Sequence, residues 1–149
     1  MRIMLDSNVY DLVVADQVIL SAIKRRIADG RLTLVSTHVQ RDELSLAPET
    51  KRAALLAIYG MADSVSTTGA VWDVSKWDEC SWGSDAISAS IVALMAGNPK
   101  HAEDALIAAT AAGEADVLVT NETRLASKIQ RAGFSVKVWS WSEFVAWLG

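Results

Sequence analysis

Asp104-Ala105-Leu106-Ile107-Ala108-Ala109-Thr110-Ala111 is followed, a few residues on, by Val117-Leu118-Val119-Thr120 and then by Glu122. The first stretch is apolar on every side at helical length, and the second is a short apolar run of strand length. A helix feeding such a run is half of a βαβ unit. Asp104 sits in an otherwise alanine-rich, apolar helix. A carboxylate there costs free energy unless something pairs with it. The quoted stretch itself has no cation to offer, so the partner must come from outside it.

The same alternation runs through the rest of the sequence and predicts a mainly parallel sheet. Residues 3–5, 32–35, 117–120 and 136–138 read as strands, with a short further one at 64–66. Helices are expected over 9–15, 16–28, 51–62, 84–96, 123–132 and 142–148. Asp29-Gly30 stops the second of these and Gly133 closes the one before the last strand. Thr37 followed three residues later by Gln40 matches a capping box and opens a helix that carries Glu43. Pro48 marks its end or a kink, and Pro99 suits the opening of the helix that holds Asp104. Residues 67–83 exceed the usual connection length, and so form either a functional loop or an insertion with its own structure. Trp72, Trp77 and Trp82 recur there every five residues, a spacing that places them on neither one helix face nor one strand face. They are either a platform for stacked bases or a cover over the core or a subunit contact. Trp139, Trp141 and Trp147 read as packing.

At 149 residues the expectation is one domain, 1–149, with one core. Hydrophobic residues make up 51% of the chain, which excludes a disordered class, and no apolar run reaches the ~18 residues that span a bilayer. Residues 1–6 are too short an apolar run for a secretory signal. A single cysteine, Cys80, leaves neither a disulfide framework nor a thiolate zinc cluster, which suits a reducing cytoplasm. The net charge of −4 counts against a nucleic-acid binder, unless several of the acids are gathered around metal. Basic clusters at Lys24, Arg25 and Arg26, at Lys51 and Arg52, at Lys100, and at Arg124, Lys128 and Arg131 are then free to form a patch, although ordinary solvated helix faces are the commoner explanation of any one such cluster.

In open parallel sheets ligands gather beyond the carboxyl ends of the strands, where strand order reverses. Acids arrive there repeatedly. Asp6 follows the first strand, Glu43 lies about two helical turns after the second, Glu122 follows the 117–120 strand, and Asp104 heads the helix leading into it. Carboxylates brought together repel one another, and a hard divalent ion relieves the conflict. Mg²⁺ or Mn²⁺ takes oxygen ligands and keeps several waters, activates water as a nucleophile and stabilises charge on a phosphodiester. Zinc is disfavoured, because His38 and His101 are the only histidines and show no ligand spacing. Each acid has a structural alternative. Asp6 is also a good helix cap, Glu43 has Asp42 beside it as a decoy, and Glu122 suits a first helical turn. Asp11, Asp73, Asp78, Glu79, Asp85, Glu103 and Asp116 read as solvated.

Met4-Leu5-Asp6-Ser7-Asn8-Val9, Thr37 to Leu44 with Glu43, Asp104 to Thr110, and Leu118-Val119-Thr120-Asn121-Glu122 resemble, in order, the four motifs of the PIN-domain family. That family is the metal-dependent ribonuclease fold that includes the VapC-type toxins of bacterial toxin–antitoxin pairs, and the resemblance covers nearly the whole chain. It implies a three-layer α/β/α sandwich, Mg²⁺ or Mn²⁺ dependence, endonucleolytic cleavage of RNA, frequent homodimers, and often an antitoxin that blocks the site. On this basis Asp6, Glu43 and Asp104 are expected to bind metal directly and Glu122 to bind a second ion or orient water, with Asn8 and Thr120 holding ligands or phosphate by hydrogen bonds. The family more often has Asp at the position of Glu122, whose side chain reaches one methylene further. The segment 67–83 does not align with the common small toxins.

Two other readings compete. A PIN-like scaffold that binds RNA or protein without cutting would need only part of the acid set. Phosphoryl transfer through an aspartyl phosphate suits an Asp after a first strand, but haloacid-dehalogenase-like phosphatases need a second acid where this chain has Asn8. Receiver domains need a phosphoacceptor and lysine that have no convincing place here.

Overall fold

The structure, a computed structural model, describes residues 1–71, 73–98 and 101–149. Its centre is a parallel sheet of five strands, β1 (Arg2–Leu5), β2 (Thr33–Ser36), β3 (Asp63–Ser64), β6 (Val117–Val119) and β7 (Lys137–Trp139), in the order β3-β2-β1-β6-β7. Met4 lies beside Val35 on one side and Leu118 on the other, and Leu5 lies beside Val119. The strands are short apolar runs because both faces of the sheet are covered. Ile3 and Leu5 of β1 and Val117 and Val119 of β6 face one apolar cluster, and Met4 and Leu118 face the other. This is the period-two alternation of a strand applied to a sheet buried on both sides.

Helices α1 (Ser7–Ala15), α2 (Gln17–Ala28), α4 (Glu49–Tyr59) and α8 (Trp141–Leu148) contribute to the first cluster through Val9, Ile23, Leu55 and Phe144. Helices α5 (Asp85–Met95), α6 (Ala102–Glu114) and α7 (Thr123–Arg131) contribute to the second through Ile91, Leu106 and Ile129. Helix α3 (His38–Ser45) stands at the edge and serves both, with Val39 in one cluster and Leu44 in the other. The result is the three-layer α/β/α sandwich. Among the described residues no helix is long and apolar enough to cross a membrane.

The sequence reading needs correction at several boundaries. The first helix begins at Ser7 rather than residue 9, because Asp6 itself is the cap and its side chain accepts from the Ser7 N–H. The helix expected at 51–62 runs over Glu49–Tyr59, with Pro48 preceding its first turn, and the strand expected at 64–66 is Asp63–Ser64. The expected start of the Asp104 helix at Pro99 falls, like Lys100 and Trp72, outside the described residues.

The segment 67–83 has structure of its own. Strands β4 (Thr67–Thr68) and β5 (Cys80–Ser81) pair in parallel, with a single 3₁₀ turn at Trp77–Glu79 between them. Thr110 of α6 anchors this unit, since its Oγ1 accepts from the Thr68 N–H at 2.9 Å and donates to the Leu106 carbonyl. On α3, Arg41 grips Glu79 with both ends of its guanidinium at 2.8 and 2.9 Å, and Asp42 pairs with Lys76 at 2.6 Å. Glu79 is therefore an ion-pair partner, not a solvated acid. Trp77 and Trp82 are 86% and 96% exposed and cover no core. Trp139, Trp141 and Trp147 do pack, with Trp139 against Trp147 at 6.0 Å and Trp147 against Phe144 at 6.3 Å.

Candidate active site

Strand order reverses between β1 and β6, since β1 leads on to β2 on one side while β6 enters on the other. The residues just past the carboxyl ends of these two strands are Asp6 and Thr120. They are neighbours because the ladder continues past the strands, where the Asp6 N–H donates to the Val119 carbonyl at 2.9 Å. The Thr120 hydroxyl donates to Asp6 Oδ2 at 2.7 Å, and Asn8 Nδ2 donates to the same oxygen at 2.8 Å. Asn8 Nδ2 also lies 3.4 Å from Glu122 Oε1, and the Glu122 N–H donates to Thr120 Oγ1 at 3.1 Å. A chain of hydrogen bonds thus ties the end of β1 to the turn after β6.

Asp6 is only 4% exposed. Burial, then the neighbouring charges of Asp104 and Glu122, push its carboxyl up from the ordinary 3.8 to about 6, against the pull of the Thr120 and Ser7 hydrogen bonds. Asp104 stands in the first turn of α6 at the sheet's carboxyl edge, half-buried, with its carboxyl raised by burial and by Glu122. Nδ1 of His101, in the turn before α6, lies 4.0 Å from Asp104 Oδ2. The partner that an apolar helix could not supply is thus partly the turn before it, and partly an exposure that the alanine-rich stretch from Ala105 onward lacks.

Glu43 enters from the other side. The capping box at Thr37 and Gln40 is formed, and buried Gln40 also donates to the Leu5 carbonyl, so the start of α3 is fixed to the end of β1. Two turns on, Glu43 accepts from the Ser7 hydroxyl. Its carboxyl is pushed up to about 7, first by burial and then by Glu103 and Asp6. Glu103, read from the sequence as solvated, is exposed to solvent but sits against Glu43. Two consecutive acids in one helical first turn at the cleft edge point to either side of it, and that was the available signal. Ser7 was missed as well. Asp11 is paired with Lys51 at 2.7 Å, and Asp116 accepts from the Arg2 N–H at 2.8 Å, so neither is merely solvated. Asp42 is committed to Lys76 and Arg41, which leaves Glu43 as the acid of α3 that faces the cleft.

Asp104 and Glu122 bear on the charge of Asp6, Glu122 bears on that of Asp104, and Glu43 joins them through Ser7 and through the influence of Asp6. Among the described residues, no three His, Cys, Asp or Glu side chains close into a compact metal cage. The donor chemistry nonetheless suits Mg²⁺ or Mn²⁺, which takes carboxylate oxygens one or two at a time and keeps its remaining waters. Asp6 itself has no cation paired to it among the described residues, so a divalent ion would relieve the repulsion that raises it. A cavity of about 310 Å³ opens beside Asp104 and Glu122, and a more open one of about 270 Å³ lies beside Ser7 and Glu43.

No family model and no curated protein matches this sequence. A solved structure does. A chain in the structure of VapBC2 from Rickettsia felis, bound to a DNA fragment from their promoter, superposes with a TM-score of 0.57 at 16% identity, over 95% of this chain and 99% of that one. The two share a fold. In this chain the five-stranded parallel sheet and its flanking helices are the scaffold that sets Asp6 beside Thr120.

Proposed function

We propose that this protein is a metal-dependent endoribonuclease of the PIN type that hydrolyses RNA phosphodiester bonds, and that it serves as the toxin of a toxin–antitoxin pair. The observation that carries this reading is the placement of Asp6, unpaired with any cation among the described residues, at the strand-order reversal. There Thr120 and Asn8 hold it while the charges of Asp104 and Glu122 bear on it. Asp6, Glu43 and Asp104 would hold Mg²⁺ or Mn²⁺, with Glu122 at a second ion or orienting water. Such an ion supplies positive charge against the phosphodiester and makes water a better nucleophile. The side chains do the positioning. Thr120 and Asn8 fix Asp6 Oδ2, and Ser7 fixes the Glu43 carboxylate.

The toxin role rests on the shared fold with a VapBC2 chain together with the four-motif resemblance, and it brings with it an antitoxin that covers the cleft and a homodimer in solution. The Glu122 side chain is exposed and, among the described residues, its carboxylate is held only by the long Asn8 contact, which favours a non-cutting RNA- or protein-binding scaffold as the second reading. Incubating wild type and Asp104→Asn with structured and single-stranded RNAs under Mg²⁺, Mn²⁺ or EDTA separates the two. The expected outcome is cutting that needs metal and disappears in the variant while its thermal melt stays cooperative. Full activity in Asp104→Asn would overturn the site assignment, and no cutting by folded wild type would leave the scaffold.

A further inference from the structure

The two cavities flanking the acids differ in what their cations are doing. Beside Glu43, the Lys51 ammonium is already tied to Asp11 at 2.7 Å. Beside Asp104 and Glu122, the cavity wall includes Arg124 and Lys128, one turn apart on one face of α7. Neither makes an ion pair or a side-chain hydrogen bond among the described residues, although Lys128 is close enough to act on the charge of Asp104. The floor is apolar, formed by buried Leu94, Ala105 and Leu125. His101 completes the rim.

We infer that this cavity is a nucleotide subsite, in which Arg124 and Lys128 hold an RNA phosphate next to the bond being cut and the Leu94, Ala105 and Leu125 floor takes the attached sugar or base. The inference rests on the ribonuclease reading above and adds to it the side of the acids on which the strand is gripped. Two cations that form no ion pair or side-chain hydrogen bond among the described residues, over an apolar floor, match an anionic group joined to an apolar ring. About 310 Å³ is near the lower end of ligand-pocket sizes, roughly 300–1,000 Å³, and suits one nucleotide. Because the cavity opens onto the same acids as the reaction, its occupant must be continuous with the substrate at that point. An RNA strand meets this condition.

The test measures binding of a 5′-fluorescein-labelled single-stranded RNA of mixed sequence in the Asp104→Asn background, which leaves the RNA uncut, with and without the pair Arg124→Gln and Lys128→Gln. Both side chains are outside the core, so the fold should persist, and a thermal melt checks it. Losing the grip on that one phosphate should weaken binding about tenfold and flatten the slope of log affinity against log salt by roughly 0.7. In the cleaving protein the same pair should raise KM about tenfold with kcat held within about twofold, and Lys51→Gln should change neither by more than about twofold. Unchanged affinity and salt slope in the pair variant, with wild type cutting RNA, would overturn this inference alone. Wild type that neither binds nor cuts RNA would overturn the ribonuclease reading and this inference with it. Displacement of the RNA by equimolar AMP or inorganic phosphate would reassign the cavity to free nucleotides or phosphate, and tighter binding of a polyglutamate peptide would reassign it to a protein partner. Either result overturns the proposal.

Discussion

Thr120 carries more of the site than its size suggests. Its hydroxyl donates to Asp6 Oδ2 and accepts from the Glu122 N–H, so one oxygen fixes an acid after β1 and the turn after β6. The donated bond favours the ionised form of Asp6 and opposes the burial that raises it to about 6. Thr120→Val keeps the shape and removes both bonds. At pH 7.5 in EDTA, where Asp6 is ionised, the variant should lose about 2 kcal/mol of stability, the range for a hydrogen bond to a charged group. At pH 4.5 Asp6 is protonated in both proteins and the loss should shrink. Urea midpoints at the two pH values check this. Cleavage should fall roughly 10- to 100-fold, as when an outer partner of a ligand is removed. An equal loss at both pH values would mean that Thr120 acts by packing alone.

At the scale of elements, the unit between β4 and β5 depends on a close approach to α5. Gly69 has φ +92, and a Cβ there would meet Ile91 Cδ1 at 2.6 Å. Gly69→Ala should cost roughly 1–2 kcal/mol from conformation alone, more if the buried Ile91 tip cannot move. That corresponds to a fall in Tm of roughly 2–4 °C per kcal/mol for a chain of this size. Trypsin should then cut at Lys76 faster than the global melt explains, because the unit would open locally. This unit was also the least legible part of the sequence. Two-residue strands show no periodicity, and the Thr68 to Thr110 and Arg41 to Glu79 contacts that hold it are long-range. The central sheet was legible because strands buried on both faces are continuous apolar runs, as at Val117-Leu118-Val119. In the site, Asp6 could be read because it directly follows a strand and Thr120 because it ends the apolar run 117–120, and the register of adjacent parallel strands brings such residues together. Glu103 and Ser7 could not, because which side of a helix start faces the cleft is set by how α6 and α1 dock.

Over the whole molecule, the gathered acids set how stability varies with pH. A carboxyl whose folded pKa is raised binds its proton more tightly folded than unfolded, so its contribution is fully present below the unfolded pKa and is lost as pH rises through the folded one. For Asp6 that window runs from 3.8 to about 6, and for Glu43 from 4.5 to about 7. At about 1.4 kcal/mol per pH unit, the Asp6 rise alone corresponds to about 3 kcal/mol lost between the two limits. Acids paired with cations on the surface, such as Glu79 with Arg41, work in the opposite direction, but solvent screens them and their contribution is lost only as pH falls below the ordinary 4.5. In EDTA the protein should therefore be more stable at pH 5 than at pH 7.5, the reverse of an ordinary acid-sensitive fold. A divalent ion held by these carboxylates competes with protons and binds the folded state selectively. Mg²⁺ or Mn²⁺ should raise Tm at pH 7.5 and do so much less at pH 5, and in Asp6→Asn the pH dependence and the metal response should shrink together. Thermal melts across pH 4.5–8 with EDTA, Mg²⁺ or Mn²⁺ read all of this without any RNA. A Tm that rises steadily with pH in EDTA, or a metal response equal at both pH values, would mean that the four carboxylates do not share one ion-binding cleft.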